Sequence, residues 1–62
     1  MDKKQFLKEL RHSLKKFSDD EVKEIISYYD EMIIDKMERG QTEVEIIREL
    51  GDIKSISNQI KA

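Results

Sequence analysis

The stretch "SDDEVKEIISYYDEMIIDKMERG", Ser18 to Gly40, decides the fold. Its apolar residues Val22, Ile25, Ile26, Tyr29, Met32, Ile33 and Met37 recur three and four positions apart, the period of a helix with one buried face. Ser18 is a good N-cap, with Glu21 three residues on as capping-box partner and Asp19 and Asp20 favourable at the positive end of the helix dipole. Gly40 supplies the left-handed residue that ends the run, and Arg39 suits the negative end. The spacing predicts a helix over 19–39. One apolar face of that length must be covered by other helices.

The rest of the chain supplies the cover. Upstream, Phe6, Leu7, Leu10 and Leu14 form the stripe of a helix over about 2–16, and Phe17 continues it into the turn. Downstream, Thr42 and Glu45 form a second capping box, opening a short helix over 43–50 in which Ile46, Ile47 and Leu50 face inward and Val44 packs at the edge. Gly51 ends it, and Asp52 caps a fourth helix over about 53–61 with the stripe Ile53, Ile56, Ile60. Helices this short are marginal in isolation, so the last two must be held by packing on the longer pair. The expected fold is all-α: one domain over 1–62, a compact bundle of two longer and two short helices.

Composition limits what such a bundle can do. Sixty-two residues lie near the lower limit for a chain that folds alone, and with 37% of them hydrophobic the core leaves little apolar material for a ligand cavity. That argues against an enzyme. No cysteine is present, which removes thiolate chemistry, Cys-type zinc sites and disulfides and fits a reducing compartment. No long apolar run marks a signal peptide or a membrane span, although a longer natural chain would leave room for a span beyond Ala62. The net charge of −2 hides an asymmetry. Residues 1–17 carry six Lys/Arg against two acids (+4), 18–39 carry three against eight (−5), and 40–62 carry three against four (−1). Such a balance suits protein partners better than phosphate backbones.

Do Asp30, Glu31, Asp35 and Glu38 form a site? On a helical wheel Glu24, Glu31, Asp35 and Glu38 share the side opposite Val22, Ile26 and Ile33. Carboxylates on a convex ridge lack the burial or close charge that shifts a catalytic pKa, and they do not converge on a metal ion. Lys4, Lys8, Arg11 and Lys15 form a complementary basic ridge facing away from Phe6 and Leu10. Such ridges are most simply solvated faces, exposed pairs being worth ~1 kcal/mol or less. Their functional reading is association, the basic ridge of one molecule meeting an acidic ridge of another. A basic first helix on anionic lipid is a lesser alternative, since its apolar stripe is needed for the core.

Two apolar residues fall off the stripe. Tyr28 and Ile34 lie on opposite flanks of the second helix, where they are either buried under the short helices or serve as interface anchors. His12 has no second imidazole to share a metal, and Ser13, Ser55 and Ser57 have no credible base partner. The segment "EIIRELGDIKSISNQI", 45–60, has the outline of a helix-turn-helix. A DNA-binding domain over 42–61 is therefore the alternative function, with Ser55, Asn58 and Gln59 at base edges and Lys54 and Lys61 at phosphates. Asp52 directly after the turn glycine, and the overall acidity, count against it.

Taken together, "QFLKELRHSL" (5–14), "YYDEMIIDKMERG" (28–40), "TEVEIIRELGD" (42–52) and "IKSISNQI" (53–60) resemble the HAAS family, small all-helical signalling domains of bacteria often encoded beside PadR-type transcription regulators. The most specific features are the acidic-x-Gly, Glu-x-x-Ile-Ile and Leu-Gly-Asp elements at this spacing. The family usually has Pro after Gly-Asp and Ala shortly beyond, where this chain has Ile53 and Ser57. Proline there only pre-sets the backbone, so the helix is expected to survive. The resemblance implies an N-terminal cytoplasmic module, in many members followed by membrane-spanning helices, regulatory and without catalytic residues to carry over.

The sequence thus leads to a non-enzymatic protein-interaction or signalling module with no cofactor. Its expected partner is a PadR-type regulator or a second copy. The candidate contact residues are Glu24, Tyr28, Glu31, Ile34 and Asp35 on one helix and Lys4, Lys8, Arg11 and Lys15 on another.

Overall fold

The computed structural model describes residues 2–60. Four helices follow one another, α1 (Lys3–Ser13), α2 (Asp19–Glu38), α3 (Glu43–Leu50) and α4 (Ile53–Ile60), with no strand among the described residues. They fold into a body of 34 × 20 × 19 Å whose long axis matches the ~30 Å expected of the 20-residue α2 at 1.5 Å per residue.

Local chemistry fixes the boundaries. Asp2 caps α1 by accepting from the Gln5 amide at 2.8 Å. Both capping boxes form. Ser18 accepts from the Glu21 amide while the Glu21 carboxylate takes the Ser18 amide, and Thr42 and Glu45 reciprocate in the same way, so each pair satisfies two otherwise orphaned donors. α2 ends in a Schellman arrangement: Gly40 donates to the Met37 carbonyl at 3.0 Å and Gln41 to the Lys36 carbonyl at 3.1 Å, with Gly40 at φ 102°. For α4, Asp52 contributes its backbone carbonyl to the Ile56 amide.

α1 ends at Ser13, short of the expected Lys16. The Leu14 amide turns back to the Arg11 carbonyl three residues earlier, and the Phe17 amide does the same to Leu14. This tightening lets Phe17 reach the core before Ser18 starts α2.

α1 is the hub, packing on each of the other three helices, while α3 also packs on α2. Phe6 and Leu10 of α1 and Leu14 just past its end meet Val22 and Ile33 of α2, Ile46 of α3 and Ile56 of α4 in one buried cluster. Burying each large side chain is worth about 1.5–3 kcal/mol, which is how helices as short as α3 and α4 persist. Leu7, Ile25, Ile26, Tyr29, Ile47, Leu50, Ile53 and Ile60 pack around this centre, as the wheel predicted. Tyr29 meets Phe6 edge-on at 6.5 Å. Met37 departs from its expected place on the core face and is 40% exposed. The first residue of α1, Lys3, pairs with Asp30 of α2 at 2.8 Å, so the last turn of α2, which carries Met37, runs past the end of α1, and its residues lie beyond that helix. Only α3 is left to cover them.

Candidate interaction surfaces

No polar or charged residue is buried among the described residues, so chemistry has to be sought on the outside. The outer side of α2 presents Glu24, Glu31, Asp35 and Glu38, all exposed. Asp35 has an i,i+4 partner in Arg39 at 3.2 Å, with both side chains more than half exposed. No group of three or more His, Asp or Glu among the described residues converges as metal ligands would.

Tyr28 and Ile34 are not covered by the second pair of helices. Tyr28 is 63% and Ile34 39% exposed: α4 packs on α1, and α3, which packs on α2, leaves both side chains open to solvent. The Tyr28 ring leans edge-on against Tyr29 at 5.2 Å, which fixes its position beside the acidic ridge. Burial raises the Tyr29 hydroxyl pKa above its usual 10.0, with the neighbouring Tyr28 adding to the shift. Val44 is 54% exposed at the rim of α3.

Lys4, Lys8 and Arg11 lie along the outer side of α1, exposed. Lys15 stands in the turn that follows, yet it lines the same wide, open depression, which ends at Ile53 of α4. None of the four forms an ion pair among the described residues. His12 is exposed beside them.

The pairs that tie helices together use other residues. Lys3 holds Asp30 Oδ1, an oxygen shielded from solvent that accepts no well-aligned hydrogen bond; the 2.8 Å ammonium contact is what compensates its burial. The Lys3 amide also donates to the Glu43 carboxylate at 3.4 Å, joining the starts of α1 and α3. Glu49 of α3 accepts from Gln41 at 3.1 Å and lies 3.8 Å from Lys36 of α2. Ser13 donates to the Leu10 carbonyl at 2.7 Å, so its single proton is committed and Ser57 of α4 is left as the donor across the 2.6 Å Ser13–Ser57 contact. No periodicity signals the Lys3–Asp30, Lys36–Glu49 and Ser13–Ser57 links, because each joins residues on different helices. Only the chemical complementarity of Lys with Asp, or Ser with Ser, hints at them.

Of the residues assigned to DNA contact, Ser55, Asn58 and Gln59 for base edges and Lys54 for phosphate are exposed on α4, and Lys61 lies outside the described residues. α3 and α4 each pack on α1. Nothing in this arrangement favours the DNA reading over the protein-interaction one.

Fold and surface together define a small all-α domain with an apolar centre and charge sorted onto opposite outer faces. The HAAS family model matches residues 5–59, and the chain belongs to the HAAS family. No curated protein and no solved structure matches the chain. Among the described residues no helix is long and apolar enough to cross a membrane.

Proposed function

We propose that this chain is a non-enzymatic interaction module of a bacterial regulatory or membrane protein, placed at the cytoplasmic face and contacting a PadR-type regulator. One observation supports this most: the large apolar side chains concentrate at the centre, while two charged faces stand outward with most of their charges unpaired. Among the described residues no polar or charged residue is buried, and two surfaces are suited to steering a partner. Membership of the HAAS family supports a protein-interaction role, and we take a PadR-type regulator as the partner. Glu31 and Asp35, both exposed on the outer side of α2, are the proposed contacts, with Tyr28 as the adjoining aromatic anchor.

Co-purification with the neighbouring PadR-type regulator tests this. Reversing Glu31 and Asp35 to Lys should abolish capture while far-ultraviolet circular dichroism stays helical. Undiminished capture by the reversed chain would remove the acidic face as the contact. Failure of the unaltered chain to bind the regulator would remove that partner.

A further inference from the structure

We propose that the two charged faces fit one another, so that copies of this chain join head to tail, the outer side of α1 of one against the outer side of α2 of the next. This deepens, and rests on, the interaction reading above by naming a second copy as a partner.

The spacing carries the argument. Lys4, Lys8, Arg11 and Lys15 are separated by four, three and four residues. On α2, Asp35, Glu31, Tyr28 and Glu24, taken in reverse, are separated by four, three and four as well. Two helices crossing at a shallow angle and running antiparallel therefore meet in register along a straight seam. Lys4 falls opposite Asp35, Lys8 opposite Glu31, and Arg11 opposite the exposed Tyr28 ring, a partner that a planar guanidinium stacks on well. Lys15, held in the turn on the same depression, comes toward Glu24. Arg39 must release Asp35 for this, which is cheap because that pair is solvent-exposed.

The basic stripe is also unfavourable for an isolated molecule. Like charges three and four residues apart repel by a few tenths of a kcal/mol, and no ion pair among the described residues relieves Lys4, Lys8, Arg11 or Lys15. Docking the acidic stripe of another copy relieves it.

The geometry also sets the kind of assembly. α1 and α2 face each other through Phe6, Leu10, Tyr29 and Ile33, so their outer sides point away from one another. A molecule that uses α1 to hold one copy keeps its α2 free for another. The contact is heterologous and open-ended rather than a closed pair. A single seam between two helix faces buries less than a standard interface of ~1,600 Å², so association is weak and salt-sensitive.

Sedimentation velocity tests this with three chains: unaltered, Lys8→Glu/Arg11→Glu, and Glu31→Lys/Asp35→Lys. All four positions are exposed, so helicity should persist and is checked by circular dichroism. At about 0.02 M salt the unaltered chain should grow past dimer with concentration, and at about 0.5 M, where the Debye length falls to a few Å, it should return to monomer. Each altered chain alone should associate at least about tenfold more weakly. An equimolar mixture of the two should form a 1:1 complex and stop there, because only one compatible pair of faces remains. A monomeric unaltered chain at low salt, or altered chains that fail to complement each other, would overturn head-to-tail assembly. If such a monomeric chain still captures the PadR-type regulator through Glu31 and Asp35, the broader interaction reading stands while self-assembly falls.

Discussion

The inner and outer sides of α2 are made from the same twenty residues and answer to different physics. Inward, Val22 and Ile33 are buried in the central cluster, where truncating a side chain costs both its burial and a residual cavity. Outward, Glu24, Glu31 and Asp35 touch mainly water, and their energies are small and salt-dependent. The inner side therefore decides whether the chain folds, and the outer side decides what the folded chain meets. In so small a domain the two roles cannot share residues without one weakening the other.

The sharpest way to break the inner side is at its centre. Phe6→Ala or Ile33→Ala removes a fully buried side chain and should cost about 3–5 kcal/mol, comparable to the whole stability of a domain this size. Both variants should be largely unfolded at 25 °C by circular dichroism; a cooperative melt close to that of the unaltered chain would show that the cluster is not the source of stability.

A smaller effect belongs to the boundaries. Gly40→Ala should cost about 1–2 kcal/mol, because a Cβ at φ 102° is strained by the backbone alone, with no neighbour within 4 Å to clash. Thr42→Ala should cost ~1 kcal/mol through the lost cap of α3. Urea unfolding would rank them, and a Thr42→Ala cost exceeding that of Ile33→Ala would invert the comparison.

The same cap has a pH signature. The Thr42 amide and hydroxyl hold the Glu45 carboxyl below its usual 4.5. A lowered folded-state pKa means that this contribution is complete above the unfolded value and is lost as pH falls through the folded one. Tyr29 runs the other way, its raised value giving a contribution that is complete below 10.0 and lost as pH rises through the folded value. Thermal melts should therefore decline at both extremes. Glu45→Gln, which removes the titrating carboxyl that the Thr42 amide and hydroxyl hold, should flatten the acid limb, and an unchanged acid limb would show that the box is not its cause.

Much of this was legible beforehand because the punctuation is local. Ser18, Thr42, Gly40 and Gly51 act through hydrogen bonds and dihedrals within a few residues, and the starts of α2, α3 and α4 fell where these residues put them. The end of α1 carries no such mark. Leu14 to Lys16 have helical character, and only the need to turn Phe17 inward stops the helix at Ser13. A helical wheel likewise assigns Met37 to the core face without knowing that α1 is too short to reach it. The exposure of Tyr28 and Ile34 depended on where α3 and α4 dock, and the Lys3–Asp30 and Ser13–Ser57 links on which helices become neighbours. Each is a tertiary fact.

The separation of inner from outer is tested most directly by one preparation of the Glu31→Lys/Asp35→Lys chain measured twice. Urea unfolding should place its stability within about 0.5 kcal/mol of the unaltered chain, as for surface substitutions generally, while its binding to the regulator or to a second copy is lost. A large loss of stability, or binding that survives intact, would contradict the account.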